Sequence, residues 1–445
     1  MNQSTLTILK QSFAGEIILP GDAAYEKAST VLVRKGAPAL IARVTSPQDI
    51  ALALQYATTN NLKISIRAGG HSNAGLGTNN GGIVIDVGHL NEVKIVDIAT
   101  NRVRIGAGAS WGDAAQALHE HGLGLSSGDT RTVGVAGLVL GAGIGWMVRE
   151  YGLTIDTLLS AEIVTANGEL ITANATTNSD LFWAIRGGGG NFGVAVAFEF
   201  ATYPVSDVYF GPITFAADDI PGLLKRWRDY MRTAPEKLTT MAMLFPAKVM
   251  GQNPPTCIIM SCWDGDDAAE ANAALEPLRK LGTITKDDIA KKPYYQALQD
   301  VHLPPATHVE VGNAFFKEFS DELIDTIAAA HTQGGMFQLR SVGGAMSRVP
   351  VGATAFAHRD SEMLVVAPHF FPQDATEEQI QQGLKNWHDI AAQASGAYIN
   401  FFSRNTVAEV KLAYPPETYK RLASIKATYD PQNIFDQNLN IKPAL

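Results

Sequence analysis

Three glycine-bearing segments hold the residues whose types and spacing suit chemistry. The first, Arg67-Ala68-Gly69-Gly70-His71-Ser72-Asn73-Ala74-Gly75, follows an alternating stretch, Leu62–Arg67, that reads as a strand. Glycines at this density let successive N–H groups converge into an anion-binding concavity suited to a pyrophosphate, with Ser72 and Asn73 adding side-chain donors. On its own, the loop is equally a tight turn carrying a surface histidine, and His71 has no local partner for binding a metal. The second segment runs from Gly128 to Gly145 and includes Thr130, Thr132, Val133, Gly134, Gly137, Gly141, Gly143 and Gly145. Its glycines do not follow G-x-G-x-x-G, and it comes after several strands instead of the first, so a nicotinamide-type Rossmann loop is rejected. Backbone laid flat against a large planar ligand is the expectation there. The third segment, Arg186-Gly187-Gly188-Gly189-Gly190-Asn191-Phe192-Gly193, loses much backbone entropy on folding, which suits either a ligand-apposed turn or a hinge.

The elements that must position these loops change character along the chain. Of the 41 glycines, 28 fall in residues 1–200, among short strands at 82–87, 94–97 and 102–105. Strands at 162–166 and 169–172 are joined by Asn167-Gly168, a strong hairpin signal. Two short helices are expected near 112–121 and 179–185, the second capped by Ser179-Asp180, and an apolar strand at 192–200. From about residue 206, helical patterns at 220–231, 267–281, 321–331 and 377–394 alternate with strands at 239–245, 257–263, 309–316 and 363–370. Thr376 and Gln379 form a capping-box pair, and a helix at 417–429 ends at Asp430-Pro431.

The chain is 445 residues long, so two domains are expected. A net charge of −9 argues against a nucleic-acid or anionic-membrane partner, and no apolar run approaches the roughly 20 residues needed to span a bilayer. Met1-Asn2-Gln3-Ser4 does not read as the start of a signal peptide, and a cytoplasmic location is expected. Cys257 and Cys262 are too few for a disulfide framework, and alternation places them on opposite strand faces.

Several ordered motifs carry a family resemblance: Arg67–His71, Thr132–Gly137, Tyr151–Asp156, Asp180–Gly189, Tyr429–Phe435 and Asn438–Pro443. On these the chain resembles the FAD-linked oxidases of the vanillyl-alcohol oxidase superfamily, berberine-bridge-enzyme-like branch. The resemblance implies an α+β fold. A two-subdomain PCMH-type FAD-binding domain spans 1–205, with its core at about 34–204. An α+β substrate domain, an antiparallel sheet backed by helices, spans 206–400, and a C-terminal segment, 401–445, returns to the FAD domain. FAD contacts are implied for Arg67, Gly69, Gly70, His71, Ser72, Asn73, Gly75, Thr130, Thr132, Val133, Gly134, Gly137, Gly141, Gly143, Gly145, Asn191, Gly193, Asn400, Asn438 and Asn440.

His71 stands where relatives bond the flavin 8α carbon. Thr130 stands where many carry a cysteine that makes a second bond, so a mono-covalent FAD is expected. Val133 matches a gate position at which valine favours reaction with O₂. Beside the flavin, Tyr398 and Asn400 are expected on one strand face, with Tyr398 a base or orienting group. A Lys-x-Gln pair of some plant relatives is replaced by Val365 and Ala367, which leaves His369 as the other acid/base candidate on the pocket floor. Arg340 and Arg348 are candidate anion contacts or paired arginines. The implied activity is an FAD-dependent oxidase removing a hydride from a C–O or C–N centre of a small organic substrate, with O₂ as acceptor. A dehydrogenase using another acceptor and a silent FAD-binding protein stay open as alternatives.

Overall fold

The computed structural model describes residues 3–205, 207–247, 254–301 and 307–445. Met1 and Asn2, part of the stretch read for a leader, and Ser206, first residue of the expected second domain, lie outside the described residues. The first part of the chain builds two sheets. One runs Glu16–Ile18, Leu40–Arg43, Ile83–Asp86, Ile64–Arg67, with its last three strands parallel. The other is antiparallel, in the order Leu170–Asn174, Leu158–Val164, Val194–Ala201, Arg102–Gly106, Val93–Asp97. The Asn167-Gly168 hairpin forms, with Gly168 at φ +84°.

Helices are more numerous here than the sequence pattern suggested. Pro47–Thr59 is a 13-residue helix whose Ser46 cap accepts from Asp49 N–H at 3.2 Å and which buries Ile50, Ala53, Leu54 and Ala57. A serine cap, proline at the first position and apolar spacing of three and four were all visible beforehand. Gln3–Ser12, Tyr25–Ser29, Val135–Leu140 and Val148–Tyr151 were not expected either. The helix at Ser179–Ala184 begins after Asn178 in the left-handed region (φ 47°), so Ser179 is inside the helix and is not its cap.

The second part forms an eight-stranded antiparallel sheet. Its main path is Ile284–Asp287, Asp207–Ala216, Thr256–Asp264, Leu238–Phe245, Phe337–Ser341, Met363–Pro372, Thr307–Phe316. Alternation divides each strand between two cores. Val365 and Ala367 pack with Trp227, Ile324, Ile327 and Trp387 of the covering helices, while Leu364 and Val366 join the large core of the first part. Cys257 and Cys262 fall in different cores and are free. An α+β fold with an antiparallel sheet backed by helices is therefore what the chain adopts. Two expected helices are interrupted. Residues 267–281 break at Pro277 into Ala268–Leu275 and a 3₁₀ turn, Leu278–Lys280. Residues 377–394 break after Gly383 into Glu377–Gly383 and Lys385–Ala391, with the Thr376/Gln379 capping box intact.

Buried polar ties hold the two parts together. Arg359, 1% exposed, grips Asp156 with two bonds of 2.7 Å. Arg149 donates to the carbonyls of Leu238, Met231 and Ala234 at 2.6–3.1 Å. Tyr151 donates to Asp264 at 2.8 Å beside the half-buried Glu150. Burial and the Asp264 carboxylate push the Glu150 carboxyl up to about 8. Near the C-terminus, the fully buried Lys426 pairs with Asp430 at 2.6 Å and donates to the carbonyls of Asn191 (2.7 Å) and Phe435 (3.2 Å).

Replacing Lys426 with Met strands a buried carboxylate and is expected to cost about 3–5 kcal/mol in denaturant-unfolding stability. For Glu150 the raised folded-state value means that the folded chain holds an extra proton between the unfolded value of 4.5 and about 8. Its contribution to stability is therefore lost as pH rises through that window. Melting temperature should fall between about pH 4.5 and about pH 8, and Glu150→Gln should reduce the fall; an unchanged fall refutes the assignment.

Candidate functional site

The three glycine segments converge on one cavity of about 380 Å³, within the roughly 300–1,000 Å³ usual for cofactor and ligand sites. The first loop leaves the strand Ile64–Arg67, whose Arg67 is anchored to Asp86 at 2.6 Å and to the Ala28 carbonyl. At Gly69 it meets the second segment so closely that a Cβ there would lie 2.3 Å from Gly134 N, and a Cβ on Gly134 would lie 2.3 Å from Gly69 N. Gly134 then opens the short helix Val135–Leu140, which accounts for part of the glycine-rich stretch expected to lie flat. The third loop seats on the end of that helix, its Gly187 and Gly189 N–H groups donating to the Leu140 carbonyl at 3.1 and 2.9 Å. The C-terminal segment stitches onto this loop. Asn191 donates to Gly188 and Leu439 carbonyls and accepts from Ile441 N–H, while Asn438 donates to Gly190.

Arg67, Gly69, Gly70, His71, Ser72, Asn73, Thr130, Val133, Gly134, Gly137, Asn191, Gly193, Asn438, Tyr398 and Asn400 all line the cavity. Seven expected residues do not. Gly75 turns the first loop at φ +64° against Arg34. Gly141, Gly143 and Gly145 admit Asn400, Thr154 and the Ser127 carbonyl respectively, where any Cβ would collide. Thr132 is exposed, and Asn440 is half-buried behind the cavity wall. His369 departs furthest from expectation. It shares its strand face with Val365 and Ala367, which look toward the helices and not the pocket floor. Its Nδ1–H donates to the Ala367 carbonyl at 2.9 Å and its ring stacks on Phe371, so it is a structural histidine of the sheet.

Tyr398 and Asn400 do come together, although Ile399–Phe401 is a 3₁₀ turn and not a strand. The Tyr398 oxygen accepts from Asn400 Nδ2 (2.9 Å) and from Gly143 N–H (3.0 Å). Burial pushes its phenol up to about 12, against these two donors and the Arg340 charge. His71 is half-buried, and burial holds it below the usual imidazole value, so it is neutral near pH 7. Asp129 was present in the second segment without an assigned role. It lines the cavity, accepts from Thr130 Oγ1 at 3.0 Å and pairs with Arg340 at 2.5 Å. Arg340 is thus spent on a carboxylate, as is Arg348 on Glu236. Tyr414, Phe435 and Gln437 complete the far wall; of these only Phe435 fell within a quoted motif.

Residues 38–174 match the family described as FAD binding domain, and 397–442 match the one described as Berberine and berberine like. The chain is 32% identical to (R)-6-hydroxynicotine oxidase of Paenarthrobacter nicotinovorans, over 97% of both chains. It superposes on a solved structure of 6-hydroxy-D-nicotine oxidase from Arthrobacter nicotinovorans with a TM-score of 0.87 at 28% identity, covering 97% of this chain and 99% of that one. A glucooligosaccharide oxidase from Acremonium strictum, whose FAD is described as 6-S-cysteinyl, 8α-N1-histidyl, superposes with a TM-score of 0.86 at 26% identity, covering 99% and 100%. Taken with a cavity built from the matched segments, this near full-length likeness shows that the chain belongs to the berberine-bridge-like family of FAD-linked oxidoreductases.

Proposed function

We propose that the chain is an oxidase with a mono-covalent FAD that takes a hydride from a C–O or C–N centre of a small organic molecule. The observation that carries this reading is that one cavity is lined by His71, Val133 and the Tyr398–Asn400 pair. The residues present suit FAD. Gly69 and Gly134 leave backbone bare along the wall, and Asn438, which lines the cavity, has a buried Oδ1 with no partner. When bound, FAD supplies the two-electron acceptor and passes the electrons on to O₂, giving H₂O₂.

His71, kept neutral by burial, has the lone pair needed to bond the 8α carbon. Thr130 has a hydroxyl where a second bond would need a thiolate, and that hydroxyl is engaged by Asp129. Val133 stands at the wall with a small side chain, which supports access for O₂. Both lone pairs of the Tyr398 oxygen are occupied by donors, so its own hydrogen is available to a substrate oxygen or nitrogen. A phenol held near 12 is protonated at neutral pH. Orienting the substrate as a donor therefore suits Tyr398 better than acting as the resting base.

Acid-precipitated wild-type protein should give a yellow pellet, whereas His71→Ala should release its flavin and turn over more slowly. Free flavin from the wild type overturns the covalent bond. A screen of alcohols, amines and sugars read by peroxide tests the acceptor, and slow reoxidation of the reduced enzyme in air-saturated buffer makes it a dehydrogenase. Tyr398→Phe should lower kcat/KM by about 10- to 100-fold, the loss of one hydrogen bond of roughly 1–3 kcal/mol, while leaving flavin content unchanged. Unaltered kcat/KM removes Tyr398 from the site.

A further inference from the structure

Taking a hydride from a carbon that bears an O–H or N–H group also requires a base for that hydrogen. Few of the groups that line the flavin cavity can serve. Arg67 is bonded to Asp86 and to the Ala28 carbonyl, and His71 is reserved for the flavin. Tyr398 and Tyr414 are buried phenols, both pushed up by burial, and Tyr414 donates to the Gly187 carbonyl at 3.3 Å. Among the described residues, Asp129 is the one carboxylate that lines this cavity.

The Asp129 side chain is 23% exposed, so a small molecule or water can reach it. Thr130 Oγ1 donates to one carboxylate oxygen at 3.0 Å, and Arg340 pairs with the other at 2.5 Å. A carboxylate has about four lone-pair sites, so these bonds fix its orientation and leave acceptor capacity on both oxygens. Asp129 also stands beside the Tyr398–Asn400 pair. The carbonyl of the preceding Gly128 would lie 2.8 Å from a Cβ on Gly145, two residues past the Gly143 N–H that holds the Tyr398 oxygen. A Cβ on Gly128 would lie 2.7 Å from the Leu138 side chain, and the Leu138 carbonyl accepts from Asn400, the other donor to Tyr398. Arg340 lies 5.2 Å from the centre of the Phe401 ring, which stands edge-on to the Tyr398 ring at 5.1 Å. Its charge reaches the Tyr398 phenol.

We propose that Asp129 is a catalytic residue of this cavity, accepting the proton of the substrate O–H or N–H while Tyr398 donates to the same oxygen or nitrogen. The assignment rests on the oxidase reading above. As the hydride leaves carbon for the flavin, the O–H or N–H bond breaks and its electron pair completes a C=O or C=N bond. The proton passes to a carboxylate oxygen of Asp129, whose exposure lets it go on to water. A substrate must therefore carry hydrogen on the atom next to the oxidised carbon. Alcohols and primary or secondary amines do; ethers and tertiary amines do not.

The test uses the holoenzyme and whichever alcohol or amine gives most peroxide in the screen described above. Wild-type kcat/KM should fall as pH falls, because protonation removes the acceptor. Asp129→Asn should lower kcat/KM by about 100-fold or more at neutral pH and abolish that acid limb. The carbonyl product has no such hydrogen, so it should perturb the flavin absorbance with the same dissociation constant in both proteins. The other charged groups at hand are Arg340 and, behind the Gln299 N–H that donates to the Asp129 carbonyl (2.8 Å), Asp300 paired with Arg131 (3.9 Å). An acid limb that persists in Asp129→Asn belongs to one of these and overturns the assignment, as does equal kcat/KM. Weakened product binding makes Asp129 structural and overturns it too. Should Asp129→Asn fail to fold, Asp129→Glu keeps a charge opposite Arg340 and decides. Its displaced carboxylate should retain the acid limb and lower kcat about tenfold or more, and unchanged kcat overturns the proposal. A screen that yields no peroxide is instead a failure of the oxidase reading, and removes the assignment with it.

Discussion

Two backbones pass at Gly69 and Gly134 with no room for a side chain on either, and the principal cavity depends on that approach. It brings the loop after Ile64–Arg67 against the start of the helix Val135–Leu140, so that His71 and Val133 line the same cavity. Glycine makes such contact possible and loses backbone entropy in doing so. The loss is offset by hydrogen bonds made just behind the loops. The Leu140 carbonyl receives two N–H groups of the glycine-rich turn, and Asn191 and Asn438 sew that turn to the C-terminal segment. Lys426, bonded at once to Asp430, Asn191 and Phe435, is the hub from which this last seam hangs.

The side of the cavity lined by Tyr398 and Asn400 is assembled differently. Tyr398 and Asn400 arrive after the chain has traversed the eight-stranded sheet and its helices, and they dock back against Gly143 and Leu138 of the first part. Asn313 of the sheet fixes Tyr398 by accepting its N–H at 2.6 Å. The positions of Tyr398 and Asn400 therefore depend on how the sheet sits on the first part. That seating is set by Arg359–Asp156, by Arg149 on three carbonyls and by Tyr151 on Asp264. Charges near the cavity are neutralised locally, Arg67 by Asp86 and Asp129 by Arg340. Its walls thus offer hydrogen-bond donors and apolar surface, with no unpaired charge among these four.

Legibility followed the physics of each signal. Four strands of the large sheet, those within Leu238–Phe245, Thr256–Asp264, Thr307–Phe316 and Met363–Pro372, and the helices Ile220–Thr233, Asp321–Thr332 and Pro416–Tyr429 were visible because alternation and 3.6-residue spacing are local properties. Asp207–Ala216 and Phe337–Ser341 were passed over. The loops around His71, Val133 and Asn191 were legible because glycine at high density has few structural excuses. The helix Pro47–Thr59 carried its own cap and periodicity and was still passed over among strands. His369 was placed in the pocket because alternation puts it on one strand face with Val365 and Ala367, yet alternation does not say which layer that face meets.

By itself, the sequence determined the α+β class, the family, the segments able to line a flavin cavity and the absence of a cysteine at Thr130, because each is written in residue identity and short-range spacing. Only the tertiary structure decided that Gly141, Gly143 and Gly145 make room for other side chains, that His369 faces helices, that Asp129 neutralises Arg340, and that Arg149 is left without a carboxylate. The physical reason is common to all four. Burial, pairing and facing are relations between residues far apart in the chain, and no local pattern encodes the partner.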